Sequence, residues 1–213
     1  MSLIKNNLTY RILSLLFLII FFSCQETYAS KDFNYFNFIK EMKSFSSSFI
    51  QNTYNENGLL VTTSKGNLTY KKKSKYVLEY EVPNKIKFIS DGQLITIYDQ
   101  DLEQVIIKSV HDSENNNIVD IFTNEKLIKN KFDLKILFKN NENHINFSPI
   151  DKDIESNDFL LIIRDNMIKS ITFVNDFDQS VIMNFNGFKI NVSILDSLFK
   201  IDIPDSFDVI IDK

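Results

Sequence analysis

From Phe45 to Val110 the side chains alternate between apolar and polar, and they do so in six successive runs broken by turn-forming residues. The runs are "SFSSSFIQNTY", "LLVTTSKGNLTYK", "KYVLEYEV", "IKFIS", "QLITIYD" and "EQVIIKSV", and "NENG", "KKKS", "VPN", "SDG" and "DQD" stand between them. A period of two places alternate side chains on opposite faces of a strand, so a helical reading of this region is excluded. The links are too short for crossovers, which makes neighbouring strands antiparallel. In "KYVLEYEV" Tyr76, Leu78, Tyr80 and Val82 share one face while Glu79 and Glu81 point the other way, and in "GNLTYK" Leu68 and Tyr70 share a face.

The alternation resumes downstream. "FDLKILF", "HINFSPI", "FLLIIRD", "MIKSITFVND" and "SVIMNFNGFKI" bring the expected total to about eleven strands. Two helices are expected beside them. Asp32 is placed to cap one that carries Phe33, Phe36, Ile39 and Met42 or Lys43 on one stripe, and "IVDIFTNEKLI" after the Asn-rich "DSENNN" reads as a second, short one. The fold class is therefore mostly β with a few helices. A twisted sheet of this size tends to curl, and its interior can be filled by side chains, covered by helices or closed around a ligand.

At the N-terminus Lys5 and Arg11 precede an apolar run from Ile12 to Phe22, interrupted only by Ser14. Eleven residues suit a signal peptide and fall short of the roughly 20 needed to span a bilayer. "TYA" places a cut after Ala29, giving a signal peptide over 1–29 and a single domain over 30–213; a rival cut before Cys24 would leave a lipidated cysteine. Removing Lys5, Arg11 and Glu26 from the chain leaves 22 basic and 27 acidic side chains, a mild acidity that argues against nucleic acid as a partner.

Catalytic vocabulary is sparse. His111 and His144 have no spacing that joins them to each other or to a cysteine, so a metal site is not expected, and both read as solvated. "SSS" at 46–48 lacks a nucleophile elbow, and four glycines in all cannot build a phosphate loop. Asp99 with Asp101, and Asp151 with Asp153, read as turn formers. "KKKSK" at 71–75 reads either as a solvated hairpin turn or as a docking surface.

Over residues 41–110 the chain resembles the periplasmic lipoprotein carrier family, LolA. The resemblance rests on Ser44-Phe45, Phe49 with Gln51, Gly66 with Leu68, Pro83, Ser90-Asp91-Gly92, Tyr98 and Glu103-Gln104, in that order. It implies an unclosed antiparallel β-barrel covered by a helical lid, with an apolar cavity for acyl chains. Phe36, Ile39, Leu68, Tyr70, Tyr76, Leu78, Tyr80, Phe88 and Tyr98 would line that cavity, Tyr76 near its rim. It also implies the partners: acylated lipoproteins, an inner-membrane ABC lipoprotein-releasing complex and an outer-membrane lipoprotein receptor. The carrier would act as a monomer in the periplasm, without cofactor, metal or catalytic activity. Lys72 stands where the family commonly has an arginine that latches the lid, and Lys73 where proline is usual; Thr69 and Leu78 fill the family's tryptophan positions. Two other readings are a receptor of the same fold anchored through Cys24, and a periplasmic enzyme.

Overall fold

The computed structural model describes residues 33–110, 119, 124–151 and 158–212. The expected signal peptide, Cys24, Asp32, His111 and the Asn-rich segment lie outside them. A helix α1 (Tyr35–Glu41) is followed by β1 (Ser44–Tyr54), β2 (Leu60–Lys71), β3 (Lys75–Val82), β4 (Ile86–Asp91), β5 (Leu94–Asp99) and β6 (Gln104–Ser109). Then come α2 (Glu125–Lys131), β7 (Phe132–Lys139), β8 (Glu142–Pro149), β9 (Phe159–Arg164), β10 (Met167–Val174) and β11 (Ser180–Ile190). A 3₁₀ turn (Asp196–Phe199) and β12 (Asp208–Ile211) end the chain.

All twelve strands form one sheet in the order β12-β6-β5-β4-β3-β2-β1-β11-β10-β9-β8-β7. The eleven expected strands are all present. The twelfth, β12, is an addition: it lies parallel to β6, pairing Asp208 with Gln104 through Ile211 with Ile107. Parallel pairing needs a long crossover, and residues 191–207 supply it across one face of the sheet. β1 sits near the middle, between β2 and β11, so the chain's first and last long strands lie side by side.

The turns follow the side chains that alternation left between strands. Asp91 Oδ1 accepts from the N–H groups of Gln93 and Leu94, and Asp99 Oδ1 from those of Asp101 and Leu102. Asn55 and Asn175 build matching tips, each accepting from two backbone N–H groups of its own loop. Such local acceptors fix a turn without tertiary help.

Helix α1 is capped two residues later than the expectation. Asn34 is its N-cap, accepting from the Asn37 N–H at 2.9 Å, and the buried stripe is Tyr35, Phe38, Ile39 and Met42. Phe36 therefore flanks the stripe, half-buried, its ring edge-on to Tyr35 and beneath the Lys129 ammonium at 4.7 Å. Of the expected helix "IVDIFTNEKLI", Val119 is helical and buried, and Glu125–Ile128 belong to α2, which runs on to Lys131: Asn124 caps it, Ile128 is buried, and Lys131 leads directly into β7.

Tyr35 packs edge-on against Phe147 of β8 at 5.3 Å, while the Lys72 ammonium in the β2–β3 turn donates to the Lys40 carbonyl at the other end of α1. Strands β8 and β2 stand five places apart in the sheet, about 24 Å at normal spacing, and a seven-residue helix is about 10 Å long. The sheet therefore curls toward the helix, and its edges β12 and β7 remain unjoined.

Candidate functional site

Strand register decides which side chains share the face that α1 covers, here the inner face. Tyr70 lies opposite Phe45 and Tyr76, and Leu68 lies between Ser47 and Leu78. Leu78 then pairs with Phe88, Phe88 with Ile97, and Ile97 with Ile106. On the other side of β1, Phe49 lies opposite Phe185, and Gln51 opposite Met183. The inner face is thus apolar from β6 across β1 to β7.

It is not uniformly filled. Phe45, Phe49, Leu68, Tyr70, Tyr76 and Leu78 are buried, with Phe45 stacked on Phe188 at 4.9 Å and tilted against Tyr70 at 5.3 Å. The positive φ of Gly187 and the bulge opposite Ser46–Ser48 turn Phe188 to the same side as Phe185. A second buried group lies under α1, where Phe132, Phe147 and Phe159 meet edge to face. Toward β4–β6 the packing thins: Tyr80, Ile86, Phe88, Ile97 and Ile106 are only half-buried. Tyr80 is packed between Phe49 and Phe88, and its hydroxyl donates to Gln51 Oε1 at 2.9 Å. Burial pushes the Tyr80 phenol up to about 12 and raises that of Tyr35 further.

The expected cavity residues are therefore distributed as follows. Leu68, Tyr70, Tyr76, Leu78, Tyr80 and Phe88 share the inner face, and Ile39 of α1 is buried. Tyr76 is 3% exposed, so it belongs to the packed part of that face and not to an open rim. Tyr98 is a correction. It pairs with Lys87 and Val105 and so lies on the outer face, where its ring stacks on Phe207 at 4.9 Å. Both parities of β5 carry apolar residues, and only the pairing of Phe88 with Ile97 reveals which one turns inward. Ile86, Ile97 and Ile106 take their place from register alone; their sequence signal was the alternation of "IKFIS", "QLITIYD" and "EQVIIKSV".

The basic cluster has its partners inside the molecule. Lys72 contacts α1 through its ammonium, and its backbone N–H donates to the carbonyl of Lys43, between α1 and β1. Lys71 Nζ lies 2.8 Å and Lys75 Nζ 3.5 Å from Asp196 Oδ1, and Lys75 also stands over the Phe199 ring. The Lys71 hydrogen bond, helped by the charges of Lys71 and Lys75, holds the Asp196 carboxyl below the usual carboxylate range. These contacts tie the C-terminal crossover to the outer face over buried Ile89 and Val105. Of the four lysines at 71–75, Lys71 and Lys75 are half-buried and Lys72, though exposed, is bonded to α1, which replaces the picture of a uniformly solvated turn. The crossover also frames an open groove of about 640 Å³, lined by Ser46, Thr69, Lys189, Val192 and Leu195 among others.

His144 departs from its expected solvated state: its side chain is 18% exposed, with Nε2 3.6 Å from Glu142 Oε2, and Arg164 reaches the other carboxylate oxygen at 3.4 Å. Among the described residues no group of three potential metal ligands comes together.

The geometry defines an open, curled antiparallel sheet with an apolar, partly unfilled face beneath a helix. The chain belongs to the LolA family: the description "Outer membrane lipoprotein carrier protein LolA" matches residues 40–202. This is a family of carriers, not of enzymes. An outer-membrane lipoprotein carrier protein of Francisella philomiragia is 31% identical over 207 residues, covering 89% of this chain and 92% of that one. One from Pseudomonas putida (strain W619) is 25% identical over 173 residues, with 81% and 82% covered. Among solved structures, an uncharacterized conserved protein from Thermus thermophilus superposes with a TM-score of 0.53 at 9% identity, covering 84% of this chain and 97% of its own, a likeness of fold.

Proposed function

We propose that this chain is an exported, periplasmic carrier that holds lipoprotein acyl chains against its inner face. It takes lipoproteins from an inner-membrane ABC lipoprotein-releasing complex and hands them to an outer-membrane receptor, one copy carrying one cargo. The observation that carries the reading is the half-buried apolar patch of Tyr80, Ile86, Phe88, Ile97 and Ile106, continuous with the buried core yet not closed by it.

Energetics explain why such a patch is useful. Burying a methylene gains about 0.8 kcal/mol, so one chain of roughly 16 carbons costs on the order of 12 kcal/mol to expose to water. A carrier must hide that surface and still release it. Half-buried Ile and Phe side chains offer apolar contact without the complementarity of a filled core, and a helix held at one end by a lysine on a single carbonyl of its last turn is a cover that opens at small cost. The Tyr80 hydroxyl donates to Gln51 Oε1, so it does not face a hydrocarbon chain unpaired.

The test is binding of an environment-sensitive apolar dye to the purified protein, followed by displacement with an acylated lipoprotein. Ile97→Asp should abolish dye binding while leaving the melting temperature near that of the parent, because a half-buried carboxylate can reach water. A parent that binds no dye, or an Ile97→Asp variant that binds as well as the parent, refutes the reading. The mature N-terminus separates the anchored alternative: a chain beginning at Ser30 is the carrier, and one beginning at a lipidated Cys24 is the receptor.

A further inference from the structure

We propose that Gln51, Thr53 and Ser64 form a polar subsite beside the half-buried apolar patch, and that it takes an uncharged acyl carbonyl, ester or amide, at the head of a hydrocarbon chain. The inference rests on the carrier reading and adds an orientation to it.

Strand pairing brings the three residues together. Gln51 lies directly opposite Ser64, and Thr53 lies opposite Thr62 one step further along the same two strands. Their parity along β1 and β2 is that of Phe49 and Leu68, so they face inward. Thr53 is 5% and Ser64 8% exposed. Other polar side chains of this face are satisfied within the fold: the Ser47 hydroxyl donates to the Asn186 carbonyl at 2.8 Å, and Ser90 Oγ accepts from the Gly92 N–H at 3.2 Å. The Thr53 and Ser64 hydroxyls have no such partner among the described residues. Gln51 is satisfied at one end only. Its Oε1 accepts from Tyr80, which reaches it past Gly66, where no side chain intervenes, and the two N–H groups on Nε2 are left over. None of these atoms is sealed, since among the described residues the one enclosed side-chain polar atom without a partner is His144 Nε2.

What this island offers and what it lacks define the ligand. It offers hydrogen-bond donors. It lacks charge: β1 carries no acidic or basic side chain, and Lys65 and Lys71 of β2 and Lys189 of β11 lie opposite Ile50, Ser44 and Ser46, on the outer face. A phosphate or carboxylate would lose its water there and gain no counter-charge. A neutral carbonyl accepts hydrogen bonds and needs none. Hydrocarbon laid over the island would leave its donors dehydrated and unpaired, so the island disfavours the middle of a chain and holds its head. Tyr80 joins the island to Phe88 and the rest of the patch, and a chain fixed at Gln51 and Ser64 therefore runs from β1 and β2 toward β6. Acyl esters occur both in lipoproteins and in free glycerides, and the subsite is defined by the carbonyl they share.

Displacement of the environment-sensitive apolar dye by matched probes tests this. A diacylglycerol should compete about fivefold more tightly than the dialkyl ether with the same chains, the worth of one neutral hydrogen bond. Thr53→Val and Ser64→Ala should each reduce that ratio and together bring it to one, with dye binding reporting that each variant is folded. Phosphatidic acid of the same chains should compete no better than the diacylglycerol. A diacylglyceryl-cysteinyl peptide that competes better than the diacylglycerol makes the lipoprotein the source of the carbonyl, and the reverse order makes it a free glyceride. A parent that binds dye but does not tell ester from ether overturns the subsite alone, as does a ratio that the double variant leaves intact or phosphatidic acid as the tightest probe. A parent that binds no dye overturns the carrier reading itself, and the subsite with it.

Discussion

Gly66 is the position where this sheet has least room, and Gly66→Ala is a direct test of the packing described above. A Cβ added there would stand 1.9 Å from the Glu79 carbonyl oxygen and 2.8 Å from Phe49 Cζ. The ring could swing aside, but the carbonyl belongs to β3, paired with β2 at the shift between Lys65 and Gly66. Reaching an ordinary contact requires β2 and β3 to part by about 1.5 Å, which stretches hydrogen bonds of about 2.9 Å beyond any useful length. Losing about two such bonds costs roughly 2 kcal/mol, and forcing a core contact adds about 1–3 kcal/mol. The stiffer denatured chain returns about 0.4–1 kcal/mol. The net loss is about 3 kcal/mol, a large share of the 5–15 kcal/mol typical of a domain. In urea, with a slope of about 1–3 kcal/mol per molar, the unfolding midpoint should fall by about 1–3 M with little change in slope. A midpoint unchanged from the parent would mean that β2 and β3 do not approach as described, and the register that places Leu68 against Leu78 would fall with it.

Lys72→Met removes the donor to the last turn of α1 and should cost the fold under about 1 kcal/mol, yet speed hydrogen exchange of the α1 amides several-fold; unchanged exchange would show that Lys72 does not hold the helix. Tyr80, pushed up to about 12 by burial, makes stability fall with alkali. The unfolded phenol ionises near 10 while the folded one stays protonated, so the folded state holds more protons and loses stability from about pH 10 upward until its own phenol ionises near 12. Urea unfolding at a series of alkaline pH values should show a shallower decline for Tyr80→Phe, and an equally steep one would place the titration elsewhere, Tyr35 being the next candidate.

The sequence by itself determined the strands and most of the turns. A period of two is imposed by backbone geometry, and acceptors such as Asp91, Asp99 and Asn55 close turns within a few residues of themselves, so these features need nothing remote. Eleven strands, the antiparallel meander and the apolar character of the face carrying Leu68, Tyr70 and Leu78 were legible for that reason. The tertiary structure decided what depends on distant partners. Asn34 caps α1, and Tyr35 beside it packs onto Phe147, more than a hundred residues away. Tyr98 faces outward because β5 is apolar on both sides and its face is set by pairing with β4 and β6, with Phe207 arriving from the C-terminus to cover it. The parallel β12 carries four exposed residues and has no alternation long enough to mark it; the crossover that delivers it is held by Lys71 and Lys75 on Asp196, a contact across more than a hundred residues that no local pattern encodes. Alternation fixes which side chains stand together, and the curl of the sheet around α1 fixes which of them are packed and which are left half open.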